Sequence, residues 1–357
     1  MNANLYALLE AGFPADRSAC ALETIDAQGR PLYYSWDDID RASARIANLL
    51  ASLKLPAGAR VAVQVEKSPE ALLLYLATLR AGYVYLPLNT AYQAAEIDYF
   101  VGNAEPALVV CAPGSAEWIT PIAKQHRVKH VMTLGDDRTG SLLDAAARQP
   151  DRFRTVRRAP DDMAAILYTS GTTGRSKGAM LSHDNLASNA QVLKHYWRWR
   201  RGDVLLHALP IFHVHGLFVA SHGALLAGCK MIWMAKFDPR EVVRQLPRAT
   251  VFMGVPTMYV RLLDEPSFDA QACRTMRLFI SASAPLLPDT FRQFEQRTGT
   301  RILERYGMSE TVMLTSNPYD GNRVAGTVGL PLPGVEVRVV DEHGRQCAEG
   351  EIGAIQV

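Results

Sequence analysis

The sequence predicts an α/β protein, with two helix-flanked β-sheet subdomains followed by the start of an antiparallel, barrel-like β segment. Three observations predict it. Short β-branched or apolar runs alternate with helix-periodic stretches over most of the chain. The 357 residues are enough for about two units at roughly 150 residues each. After Gly326 the helical period stops, and TVGLPLPGVEVRVVDEHGRQCAEGEIGAIQV is rich in Gly, Pro and Val.

The elements follow in chain order. Ser35 is an N-cap, with Asp37 and Asp38 in the first turn of a helix through ARIANLLASL. RVAVQV (60–65) is a strand between breakers. PEALLLYLATLRAG (69–82) is a helix ended by Gly82, with Arg80 near its C-terminus. VYLPLN (84–89) leads into a second helical stretch near 92–103, and ALVVC (107–111) and VKHVMTL (128–134) are buried strands. Arg138 to Asp162 is polar and Arg-rich, and forms an internal linker holding one short helix. From Met163 the alternation resumes, with MAAILYT, DVLLHAL, CKMIWM, ATVFMG, MRLFIS and RILE as strands. The expected subdomains are therefore 1–160, 161–325 and 326–357. There is no internal repeat or low-complexity tract.

Composition narrows the function. Apolar residues make up 48% and charged residues 21% of the chain, which excludes an intrinsically disordered protein. Thirty-eight basic residues against 36 acidic ones leave +2, no broad electrostatic basis for binding nucleic acid or an acidic membrane. No apolar run reaches about 18 residues, and no basic-then-apolar secretory signal opens the chain. Five scattered cysteines without a CxxC fit reduced thiols in a cytoplasm.

The most informative stretch is YTSGTTGRSKG, Tyr168 to Gly178. A strand runs directly into small, flexible and hydroxyl-bearing residues. Three glycines let backbone N–H groups turn toward one point, Thr169, Ser170, Thr172 and Thr173 add hydroxyls, and Arg175 and Lys177 add charge. Those are the requirements of a polyphosphate cradle. An ordinary mobile turn has the same composition. A Walker A loop does not match, because Ser176 precedes Lys177 and Gly178 follows it. Gly174-Arg175-Ser176-Lys177-Gly178 does match the GxSxG elbow of serine hydrolases, but Ser176 lies several residues beyond the strand end.

YTSGTTGRSKG resembles the phosphate loop of the adenylate-forming superfamily, which includes acyl-CoA synthetases and luciferases. Four further motifs follow that family's order: LATLRAGYVYLPLN (76–89), ALPIFHVHG (208–216), SASAPL (281–286) and ERYGMSET (304–311). HALPIFHVHGLF, GVPTMYVRLL and ERYGMSET followed by TSNPYDGNRVAGTVGLPLPGV resemble its malonyl-CoA synthetase branch.

The resemblance implies a fold, the large N-terminal domain of that superfamily, and a set of roles. Thr169, Ser170, Gly171, Thr172, Thr173, Gly174 and Lys177 would cradle the phosphates of ATP. Thr169 and Glu310 would hold Mg²⁺, and with His213 would form the catalytic set. Ser283, Ala284 and Pro285 would line adenine, and Tyr306 would stack on it within the nucleotide segment Glu304, Arg305, Tyr306, Gly307, Met308, Ser309 and Glu310. His213, Arg261, Ser283 and Met308 would face the acid. Ala282 stands where many malonyl-type relatives have glycine. Read without the resemblance, Glu310 is a solvated turn acid, Tyr306 a core residue, and Arg261 the partner of Glu265 at i+4. His213 and His215 form H-x-H, whose rings would share one face on a strand. The pair lacks an evident third metal ligand.

The implied activity is ATP-dependent ligation of malonate to coenzyme A through malonyl-AMP, with methylmalonate or another short acid as the alternative. A serine hydrolase using Ser176 and a non-catalytic nucleotide-binding fragment are alternatives of different kinds. Full-length relatives continue into a ribose-binding Thr-Gly-Asp segment, a hinge and a small C-terminal domain with a catalytic lysine. This chain stops at Val357 inside a strand-like run, so the expectation is a truncated N-terminal part, inactive or severely impaired by itself. The partners implied are small molecules alone.

Overall fold

A computed structural model describes residues 2–26, 28–169 and 175–357. Two helix-flanked sheets carry the chain. The first has six strands in the order His130–Thr133, Leu108–Cys111, Arg60–Gln64, Val84–Pro87, Met163–Thr169, Lys177–Ser182. Its first five are parallel, and Lys177–Ser182 closes the edge antiparallel to Met163–Thr169.

The second sheet has nine strands. Six are parallel: Leu303–Met308, Leu278–Ser281, Val251–Gly254, Val204–His207, Lys230–Trp233 and Cys20–Ile25. Antiparallel strands finish both edges, Val312–Ser316 and Leu330–Pro331 at one and Pro31–Ser35 at the other. Beyond them Arg338–Val340 pairs antiparallel with Ala354–Gln356. The helix-flanked sheets and the antiparallel character after Gly326 agree with the sequence reading.

Sheet membership does not follow the expected boundary at 160. The hairpin Cys20–Ser35 joins the second sheet, and Met163–Ser182 joins the first. Local patterning sets an element's type, whereas its sheet is set by non-local pairing. Within 138–162 one short helix, Ser141–Ala146, is followed by chain without regular secondary structure at 152–159.

Local signals explain the elements that frame the site. Ser35 and Asp38 form a reciprocal capping box at the start of Trp36–Ser52. Ser68 caps Pro69–Arg80 through Ala71 N–H, with Pro69 in the first turn. That helix is buried on every face because it fills the space between the sheets' flanking layers. Its Arg80 is buried too, paired with Asp40 at 2.8 Å and donating to Phe153 O. The largest apolar cluster joins side chains from both sheets, including Val61, Leu205 and Leu303.

Candidate active site

The candidate residues gather at the carboxyl ends of strands, where open α/β sheets bind ligands. Tyr168 packs on Phe100 with ring centroids 4.3 Å apart, and its hydroxyl donates to Asn103 Oδ1 at 2.6 Å. Helix Ala94–Ala104 thus braces the strand end that delivers Thr169. The strand returns with Lys177 in register with Thr169. On the way Tyr99 OH donates to Ser176 O at 2.7 Å, and Arg175 lies over the Tyr99 ring. Ser170, Gly171, Thr172, Thr173 and Gly174 lie outside the described residues.

Thr169 Oγ1 donates to Glu310 Oε1 at 3.0 Å, across 141 residues of sequence. Glu310 sits on the turn joining Leu303–Met308 to Val312–Ser316. The turn is tight. Val312 has φ +59°, uncommon for a β-branched residue. A Cβ on Gly307 would lie 2.8 Å from Met313 Cα and closer still to Val312 O. A hydroxyl and a carboxylate, both oxygen donors, suit a hard cation that keeps phosphate and water in its remaining positions.

A small cavity collects the other motifs. Asn89, Tyr92, Leu167, Tyr168, Phe212, His213 and Ser309 all line it. His213 is exposed at a bend, its ring 4.5 Å from that of Phe212, and the surrounding protein lowers its pKa by desolvation. H-x-H does not lie on a strand. His215 begins a π-helical segment, His215–Ser221, a feature frequent at functional sites. His215 is buried, and its pKa falls well below the usual value through desolvation, with Arg305, His207 and His213 adding repulsion. Its Nδ1 lies 3.3 Å from Ser283 Oγ. Among the described residues no group of three His, Cys, Asp or Glu could hold a metal by itself.

Ser283, Ala284 and Pro285 are exposed, and Ser283 has φ +71°. The Ala282 methyl is buried, so it fills interior space. Tyr306 is half-buried and Met308 is 37% exposed. Glu304 and Arg305, expected at the nucleotide, have buried side chains. Glu304 accepts Leu286 N–H at 3.0 Å and so anchors the 283–286 segment; burial raises its pKa against that bond. Arg305 rests one nitrogen on Met313 Sδ, and desolvation lowers its pKa to about 9. Nε and Nη2 of Arg305 have no hydrogen-bond partner among the described residues.

Arg261 is exposed on helix Pro256–Leu263. It does not pair with Glu265, which Arg240 takes at 3.7 Å. Its guanidinium lies 4.9 Å over the Phe237 ring. Phe237, Met258 and Phe212 line one further cavity. The hydrolase elbow is overturned, since Ser176 precedes a strand and the motif requires a strand–turn–helix. Sequence reasoning missed Lys67 and His207, two buried residues beside the site. No local signal marks either, because their contact spans 140 residues.

The chain matches the AMP-binding enzyme family over residues 11–357. It is 32% identical to a malonate–CoA ligase of Arabidopsis thaliana over 388 residues, covering 98% of this chain and 63% of that protein. The structure of ATP-bound MatB from Rhodopseudomonas palustris superposes with a TM-score of 0.95 at 55% identity, covering 99% of this chain and 70% of that one. A malonyl-CoA ligase ternary product complex with methylmalonyl-CoA and AMP bound gives 0.79 at 32% identity, covering 98% and 70%. The fold and these matches define the class: the chain belongs to the AMP-binding, adenylate-forming enzymes. It spans about three-fifths of the length of the Arabidopsis relative.

Proposed function

We propose that the protein containing this chain is an AMP-forming malonate–CoA ligase. Malonate attacks the α-phosphate of ATP, giving malonyl-AMP and pyrophosphate. The thiol of coenzyme A then displaces AMP to give malonyl-CoA. The observation that carries the reading is the 3.0 Å bond between Thr169 and Glu310, which joins the phosphate-loop motif to the ERYGMSET motif. The malonate-specific part draws on the relatives, whose names say malonate–CoA ligase and malonyl-CoA ligase.

The chain's residues supply positioning and charge neutralisation, because a carboxylate and a polyphosphate repel. Residues 169–177 hold the phosphates, with Lys177 at the loop's end. Thr169 and Glu310 would hold Mg²⁺, which would offset charge on the phosphates. Ser283, Ala284, Pro285 and Tyr306 receive adenine, an assignment supported by their partial exposure. His213 meets the incoming carboxylate as a neutral imidazole, consistent with its lowered pKa. Met308 borders the acid, and Arg261 grips the carboxylate that does not react. Arg261 is available for that role, because Glu265 is taken by Arg240. Glu304 and Arg305 act from the interior, Glu304 through Leu286.

Methylmalonate is the second reading, favoured by the product complex with methylmalonyl-CoA in a 32% identical structure. Among the described residues no helix is long and apolar enough to cross a membrane. The five free cysteines support a reducing compartment, and we assign the cytoplasm. The test is pyrophosphate release by the intact gene product with a panel of short mono- and dicarboxylic acids. Release that depends on malonate or methylmalonate is expected. Release with neither acid would overturn the assignment.

A further inference from the structure

Two buried groups, Lys67 and His207, join the two sheets, and Lys67 lines the cavity shared by Phe212, Phe237 and Met258. Lys67 follows the carboxyl end of Arg60–Gln64 in the first sheet and is 8% exposed. His207 ends Val204–His207 in the second sheet and is 1% exposed. Lys67 Nζ donates to His207 O at 2.8 Å and lies 3.0 Å from His207 Nδ1. It also sits 4.5 Å over the Trp233 ring. No carboxylate among the described residues pairs with it. A lysine buried without a carboxylate is costly, and desolvation pushes its pKa well below the usual value. Such a group needs a reason beyond packing.

The bonding order fixes the tautomer. His207 Nε2 lies 3.0 Å from Gly216 O, and a carbonyl can only accept. Nε2 therefore carries the proton, and Nδ1 accepts from Lys67. Ser221 Oγ donates to the same carbonyl at 2.9 Å, and Leu217 N–H holds His213 O at 3.0 Å. The backbone from His213 to Leu217 is thereby held at both carbonyls. Gly216 has no room for adjustment, since a Cβ there would lie 2.9 Å from the Pro210 carbonyl carbon and closer to its oxygen. The held turn carries His213, and through His215 it meets Ser283.

We infer that Lys67 and His207 are positioning residues for the acid site: the chain of bonds from Lys67 through His207 to Gly216 O sets the turn that presents His213 to the reacting carboxylate. The inference rests on the ligase reading for its kinetic part, and on the bonds alone for its structural part. Neither residue touches the reacting atoms in this role.

The test uses the intact gene product with Lys67→Met, His207→Gln and His207→Phe. Glutamine keeps an N–H within reach of Gly216 O, whereas phenylalanine removes it. Acid-dependent ATP/pyrophosphate exchange, Mg·ATP affinity by calorimetry and amide hydrogen exchange of the peptide 211–221 are measured together. Lys67→Met and His207→Phe are expected to lower kcat/KM for the acid by about 10- to 100-fold, the scale of an ångström-sized misplacement. Mg·ATP affinity should stay within about twofold, peptide 211–221 should exchange faster, and His207→Gln should recover most of the loss. Unchanged acid kinetics, or equal losses for acid and ATP with general destabilisation, would overturn the inference. If Lys67→Met does not fold, the contrast between His207→Gln and His207→Phe decides. A wild-type protein without acid-dependent exchange would defeat the ligase reading, while hydrogen exchange would still decide whether Lys67 and His207 hold the turn.

Discussion

Replacing Gly307 with alanine tests whether the hairpin around Glu310 sets the site. Gly307 pairs with Met313 across the hairpin. An added Cβ would lie 2.8 Å from Met313 Cα, where ordinary contact begins at 3.4 Å, so the partner strand must retreat by about 0.6 Å there and further at Val312 O. Val312 already holds φ +59° and has little conformational slack. The displacement passes into the turn and draws Glu310 away from Thr169, whose 3.0 Å bond is the link at risk. Overpacking of this kind costs about 1–3 kcal/mol, offset by about 0.5–1 kcal/mol from the lower chain entropy of alanine. The net loss of about 0–2.5 kcal/mol leaves the protein folded. The functional loss is larger, about 10- to 100-fold in kcat/KM for ATP. Pyrophosphate release and a thermal melt on the same preparation separate the two effects. A variant that keeps kcat/KM for ATP within twofold would show that Glu310 does not depend on this pairing.

Glu310→Gln is expected to reduce pyrophosphate release by about 10²–10³-fold with an unchanged melting temperature, since the carboxylate is exposed and its loss removes charge rather than packing. Arg261→Ala should raise the KM for malonate by about 10- to 100-fold, the value of one charge-assisted hydrogen bond. It should leave Mg·ATP affinity within twofold, and unchanged malonate kinetics would remove Arg261 from the acid site. Asp203→Asn tests a structural ion pair. Burial alone would raise the Asp203 pKa, but hydrogen bonds from Arg277, Arg200 N–H and Thr250 outweigh it and hold the pKa below the unperturbed 3.8. A lowered carboxyl pKa stabilises the fold above the unfolded value, and that stability is lost as pH falls through the folded one. Urea melts should therefore show a deficit of about 3–5 kcal/mol at pH 7 that shrinks below about pH 3.8. A deficit independent of pH would contradict the assignment.

The sequence declared what local chemistry decides. Ser35 and Ser68 cap the helices whose starts they mark, and the strand ending at Thr169 lies where its β-branched and apolar run places it. Non-local pairing was not legible. Nothing in Cys20–Ser35 shows that this hairpin joins a strand beginning at Lys230. Spacing made Glu265 the partner of Arg261, yet Arg240 reaches it from another helix. ERYGMSET is polar enough to read as wholly ligand-facing. Leu303–Met308 instead enters between two other strands, and Glu304 and Arg305 are buried with it. H-V-H would share one face only on a strand, whereas His215 begins a π-helical segment held by bonds to Gly216 O.

Two polar links tie the sheets at their strand ends, and both cross more than a hundred residues of sequence. Thr169 of the first sheet meets Glu310 beside the second, and Lys67 of the first meets His207 of the second. Hydrophobic packing could have sealed this junction at lower cost, because buried ionic groups seldom outperform well-packed apolar ones. The junction instead holds Lys67 and Arg305 without a carboxylate partner among the described residues, and desolvation lowers the pKa of each. Arg175 and Lys177 add exposed cations where the chain returns to pair with Thr169. Desolvation that lowers the pKa of a buried cation is offset when an anion sits beside it, so such groups favour a negatively charged ligand. In the proposed reaction a carboxylate and a polyphosphate would bring several negative charges to this place, where Arg175 and Lys177 stand exposed.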